Sequence, residues 1–82
     1  MDLLAAEDGK LATRYDLLAE TQKVVANGEQ LIVRQTELVA LIERQGQDST
    51  RERALLNALT ESQALHEQYH QKIVIAFERS RL

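Results

Sequence analysis

Every seventh residue from Leu4 to Val39 is aliphatic: Leu4, Leu11, Leu18, Val25, Ile32 and Val39. A neighbouring row repeats the period with Leu3, Leu17, Val24, Leu31 and Leu38, broken only by Lys10. Two adjacent rows at this spacing make one apolar stripe along an α-helix, and a strict seven-residue period favours a left-handed supercoil with a partner helix. A first helix is therefore expected over about residues 2–45. Gly9 and Gly28 each weaken it by about 1 kcal/mol relative to alanine. Gly9 follows Asp8, which leaves the first eight residues free to fray or to form a separate turn.

The stop is well marked. Arg44 places a cation in the last turn, where it suits the helix dipole, and Gly46 follows at the usual left-handed position past a helix end. Ser49 and Glu52 then fit a capping box, with Asp48 as an alternative cap. A glycine stop followed within three residues by an N-cap signature predicts a turn at 46–49 and a second helix from about 50 to 79. Its inward row is expected to read Leu55/Leu56, Leu59, Ser62, His66, Tyr69, Ile73 and Ala76/Phe77, with His70 solvated on the flank.

So short a turn makes the helices adjacent and antiparallel. Hairpin geometry pairs positions whose numbers sum to roughly 94. Val39 then faces Leu55, Gln35 faces Leu59, Ile32 faces Ser62, Val25 faces Tyr69 and Thr21 faces Ile73. Gly28 falls opposite His66, a small-large pairing that gives a mid-helix glycine a packing reason. The first helix overhangs the second by roughly 20 Å. Leu3, Leu4 and Leu11 on that overhang have no partner within the hairpin.

The expected fold is all-α: an antiparallel helical hairpin, coiled-coil-like, that dimerises into a four-helix bundle, with the whole chain as one domain. With 82 residues and no cysteine, the chain has neither a disulfide nor a thiolate metal site to support a small core. A reduced, cytoplasmic setting fits. A hydrophobic fraction of 44% is too high for a disordered chain of net charge −3. Acidic and basic residues are mixed along the chain with no basic face, which argues against nucleic acid. The longest apolar run, Ile73 to Phe77, is far short of a membrane span. The acidic N-terminus has the wrong sign for a signal peptide.

One motif carries possible chemistry. His66-Glu67-Gln68-Tyr69-His70 matches H-E-x-x-H, in which two histidines one turn apart share a zinc and the glutamate serves as general base. The metzincin continuation needs glycine and histidine where this chain has Ile73 and Ala76, and Glu29 is the best cross-helix third ligand. No nucleophile is supported: Ser49 suits a cap, Ser62 the seam and Ser80 a frayed end. No catalytic residue, metal or cofactor is therefore expected.

Ile73-Val74-Ile75-Ala76-Phe77 covers every face of a helix, because successive residues differ by 100°. Leu31-Ile32-Val33 and Leu38-Val39-Ala40-Leu41-Ile42 do the same on the first helix. One hairpin cannot cover all of these, and exposed apolar patches mark interaction surfaces. The expected interface comprises Leu31, Leu38, Ile42, Leu59, Ile73 and Phe77, with Leu3, Leu4 and Leu11 covered by a second subunit.

From about Glu29 to Gln71 the chain resembles a group of short uncharacterised helical proteins common in alphaproteobacteria. The features are Val33-Arg34-Gln35, Glu37-Leu38-Val39, Leu41-Ile42-Glu43-Arg44, Gly46, Asp48, Leu55-Leu56 and Ala64-Leu65-His66. In that group the turn commonly reads Gly-His-Asp where this chain has Gly46-Gln47-Asp48, and a second histidine at the position of His70 is commonly absent. The resemblance implies a hairpin and a bacterial origin, and it carries no known activity. The leading expectation is a non-enzymatic interaction module that forms a homodimer and engages a further protein. The alternative is a small secretion-type chaperone or adaptor. A zinc-dependent hydrolase is a remote third.

Overall fold

The computed structural model describes the backbone of residues 3–80 and the side chains of residues 14–80. It is an all-α helical hairpin of two long helices, α1 (Leu3–Arg44) and α2 (Thr50–Ser80), packed along their length. α1 runs unbroken through Gly9 and Gly28, so no separate N-terminal turn forms. The side chains of Leu3, Leu4 and Leu11 lie outside the described residues.

The turn is built as its residue order requires. Gly46 has φ of 71°. Its N–H donates to the Glu43 carbonyl at 3.0 Å, and the Gln47 N–H donates to the Ile42 carbonyl at 3.0 Å. This pair of bonds is the Schellman motif, which satisfies carbonyls orphaned at the end of α1. The start of α2 differs from the expected capping box. The Ser49 carbonyl accepts the first helical bond, from the Arg53 N–H at 2.8 Å. Its hydroxyl instead donates to Glu43 Oε1 at 3.0 Å, and Asp48 Oδ1 accepts from the Thr50 N–H at 3.1 Å and the Thr50 hydroxyl at 2.6 Å. Ser49 is drawn away because Glu43 offers it a charged acceptor across the turn, and charge-assisted bonds are the stronger ones.

On α1 the inward positions are Leu18, Thr21, Val25, Gly28, Ile32, Gln35, Val39 and Ile42. On α2 they are Ser49, Glu52, Leu56, Leu59, Gln63, His70, Ile73 and Phe77. Thr21 meets His70 and Gly28 meets Gln63, so facing positions sum to 91 rather than 94. The pairing is shifted by about one helical turn from expectation, and the α2 row changes phase with it. Ser62 and Tyr69 stand outside the seam, whereas Gln63 and His70 stand inside it. His66 is exposed and His70 half-buried, the reverse of the expected roles.

The physical reason is that both polar intruders find partners. Gln63 Nε2 donates to the Val25 carbonyl at 2.8 Å, and its carboxamide lies over Gly28. A Cβ on Gly28 would stand 2.8 Å from Gln63 Cδ, so Gly28 is open for Gln63 rather than for His66. His70 Nδ1 lies 2.8 Å from Thr21 Oγ1, whose hydroxyl also reaches the Leu18 carbonyl at 3.0 Å. A proton on Nδ1 satisfies both bonds: the ring donates to Thr21 and Thr21 donates to Leu18. Nearer the turn, Gln35 Nε2 donates to the Glu52 carbonyl at 2.9 Å. At the far end, the Tyr15 and Phe77 rings meet edge to face with centroids 4.7 Å apart.

Two substitutions test this account. Gly46→Val should lower stability by about 1 kcal/mol or more, because a β-branched residue is strained at positive φ and nothing nearby compensates. An unchanged urea midpoint would contradict it. Gly28→Ala should be neutral or destabilising alone, since it expels the Gln63 carboxamide from its bond to Val25. In a Gln63→Ala background the same change should stabilise by roughly 1 kcal/mol, the helix-propensity gain. Equal effects in the two backgrounds would show that Gln63 does not rest on Gly28.

Candidate interaction face

The seam leaves the hairpin with two unlike broad faces. Leu17, Val24, Leu31 and Leu38 each precede an inward residue of α1 by one position. Leu55, Ser62, Tyr69 and Ala76 do the same on α2. Between antiparallel helices such rows lie on the same side. Leu17, Val24, His66 and Tyr69 accordingly line one groove of about 270 Å³ together with Glu20 and Thr21. A second groove of about 150 Å³ follows the row toward Arg14, Ile73 and Phe77. Leu41 and Leu65, one turn further round, extend this face.

The opposite side carries the residues that follow the inward positions, Gln22, Glu29, Thr36 and Glu43 on α1 and Arg53, Thr60 and Val74 on α2, with Glu67 in the same row two turns after Thr60. Glu43 and Arg53 form a salt bridge there. Thr36 and Thr60 return their hydroxyls to the carbonyls of Ile32 and Leu56 at 2.7 and 2.8 Å. One face is thus apolar and the other charged and hydroxylated.

Burial sharpens the contrast. Val39, at 5% exposure, is the buried apolar side chain of the described residues, and its buried companions Thr21, Ser49 and Gln63 are polar. No large side chain among them is fully enclosed. Leu31 remains 48% exposed and Leu65 66%. Of the residues expected at an interface, Leu31 and Leu38 lie open on the apolar face, while Ile42, Leu59, Ile73 and Phe77 are half-buried along the seam. The sequence reading missed the roles of Thr21, Gln63 and His70. The three-and-four spacing back from Phe77 through Ile73, His70, His66 and Gln63 passes through the α2 pair, but their polarity argues against an inward placement, and the Thr21 contact follows only from the register.

The H-E-x-x-H residues do not converge with a third ligand. His70 is engaged by Thr21, and the 91 register sets Glu29 level with Ser62, on the charged face, away from the groove that His66 lines. Among the described residues no group of three or more His, Cys, Asp or Glu side chains could hold a metal ion. Among them, too, no helix is long and apolar enough to cross a membrane. Comparison with family models, curated proteins and solved structures gives no match to this chain.

Electrostatics concentrate at the turn. The Arg53 guanidinium, bonded to Glu43 through Nε at 2.6 Å, holds the Glu43 carboxyl below its ordinary 4.5, and the Ser49 hydroxyl adds to the effect. The Thr50 hydroxyl, then the Thr50 amide, lowers Asp48 below 3.8. A carboxylate whose pKa is depressed by folding contributes stability that is complete above the ordinary pKa and is lost as pH falls through the folded value. Stability should therefore decline as pH drops below about 4.5, and Glu43→Gln should flatten part of that decline. Urea titrations of both proteins between pH 3 and 7 check this, and parallel curves would show that the Glu43 cluster does not contribute.

Proposed function

We propose that this hairpin is a non-enzymatic interaction module that self-associates, two copies packing their apolar faces together into a four-helix bundle. The observation that carries the reading is the mismatch between seam and face. The seam spends Thr21, Gln63 and His70 on polar contacts, while Leu17, Val24, Leu31, Leu38, Leu55 and Tyr69 stay in water on one side. Each such side chain gains roughly 1.5–3 kcal/mol on full burial, about half of which remains available when half the surface is still exposed. Summed over one face, that is comparable to the whole stability of a small domain.

A second hairpin is the partner that every cell containing the chain supplies, and homodimers with twofold symmetry are the commonest assemblies. The hairpin measures 66 × 18 × 14 Å, and its broad side offers more than the roughly 800 Å² per partner that a standard interface uses. The resemblance of residues 29–71 to short alphaproteobacterial helical proteins belongs with this reading, because it implies the same architecture.

Self-association makes stability depend on concentration. The melting temperature should rise as protein concentration rises, and sedimentation equilibrium should return twice the chain mass at micromolar concentration. Leu31→Glu combined with Leu38→Glu should shift the protein to monomer, since two charges would be buried in each apolar face. A wild-type monomer at high micromolar concentration, with a melting temperature indifferent to dilution, would overturn the proposal.

A further inference from the structure

On the apolar face, the α1 row Glu20, Asn27, Arg34 is arranged symmetrically in charge about Asn27. Glu20 lies two turns before it and Arg34 two turns after. Two copies of α1 laid antiparallel and centred on Asn27 bring Glu20 of each against Arg34 of the other. A centre half a residue further on, between Asn27 and Gly28, pairs Val24 with Leu31 and Leu17 with Leu38, so aliphatic meets aliphatic beside the row where charge meets opposite charge. All of these side chains are exposed or nearly so in the single hairpin.

An independent observation comes from α2. The 91 register sets position 64 level with Asn27, beside Leu65, which at 66% is the most exposed large apolar side chain described. Reflected about a point half a residue past Leu65, Ser62 meets Tyr69, which joins two hydroxyls, and Leu55 meets Ala76, a large residue against a small one. The two helices were arranged by different residues, yet their centres agree to within one to two residues, or roughly 2–3 Å along the axis. Arg51 and Arg79 fall opposite one another at the rim, where solvent screens like charges.

We infer that the partner of the apolar face is a second copy of this chain with α1 over α1 and α2 over α2, antiparallel, and a twofold axis passing between Asn27 and Leu65. This rests on the self-association proposed above and specifies its geometry. Contacts across such an axis are reciprocal, which is the condition for a closed dimer rather than an open fibre. The Glu20 and Arg34 pairs then select this register over slips by one turn, each of which would place a leucine against a charge.

The chain has no cysteine, so single cysteines report on contact between copies without background. Asn27→Cys and Leu65→Cys should each form a disulfide-linked dimer under mild oxidation at least about tenfold faster than Thr36→Cys on the charged face, because disulfides need Cβ atoms to approach closely. Glu20→Arg and Arg34→Glu should each weaken the dimer by about tenfold, and the double exchange should restore it. Circular dichroism on each variant confirms the helices. A wild-type protein that sediments as a monomer overturns both this inference and the reading beneath it. A wild-type dimer whose Asn27→Cys and Leu65→Cys forms link only when mixed places α1 over α2, and overturns the geometry alone. So does a double charge exchange that fails to restore association.

Discussion

Two helices in a hairpin share a single seam, and here its register is held by one interlock: the Gln63 carboxamide laid over Gly28 and bonded to the Val25 carbonyl. No other residue type at position 28 leaves that space, and the Gln63 Nε2 bond is lost if either helix slides by a turn. Among the described residues Gln63 Oε1 has no hydrogen-bond partner, so the interlock is incompletely satisfied. Buried polar groups of this kind contribute less to stability than an aliphatic pair would, but they discriminate among registers, the role attested for polar seam positions in paired helices. The His70 contact with Thr21, two turns further on, repeats the device with different chemistry.

That specificity has a consequence for the rest of the surface. A seam holding Thr21, Gln63 and His70 leaves Val39 as the buried apolar side chain of the described residues, a small core for a chain of 82. The missing apolar area sits beside the seam, on one face only. The turn reinforces the division: the Schellman stop at Gly46 and the Glu43–Arg53 pair anchor the charged side, where solvent is wanted. Seam and face thus have different tasks, the first fixing how the helices align and the second supplying hydrophobic area.

The sequence made the helices and the turn legible because their signals are local. Gly46 needs only its own φ, and a heptad row needs only its own spacing. The α2 phase was not legible, since hydropathy assigns Gln63 and His70 to solvent and their partners lie 38 and 49 residues away. The capping box failed for the same reason: Ser49 prefers Glu43, six residues back, to the N–H groups of its own helix. The candidate face was half legible. Its leucines on α1 were visible as a row, but its edge on α2 was assigned to the wrong residues until the register was known. Leu17 and Tyr69 can be recognised as neighbours only once Thr21 is placed against His70.

An amphipathic layer of two helices can bury its apolar face against protein or against lipid, and the distribution of charge separates the two. Helices that lie in a membrane interface carry lysine and arginine along their polar faces to meet anionic headgroups. Here the charged face alternates Glu29, Glu43 and Glu67 with Arg53, and the chain as a whole is at −3. The charged face therefore lacks the cationic row that an anionic membrane would attract. The apolar face itself carries Glu20 and Arg34 within its border, charges that acyl chains cannot satisfy and that an opposing protein surface can. On the proposed self-association, the second layer is therefore protein, in keeping with the layered packing of helical folds.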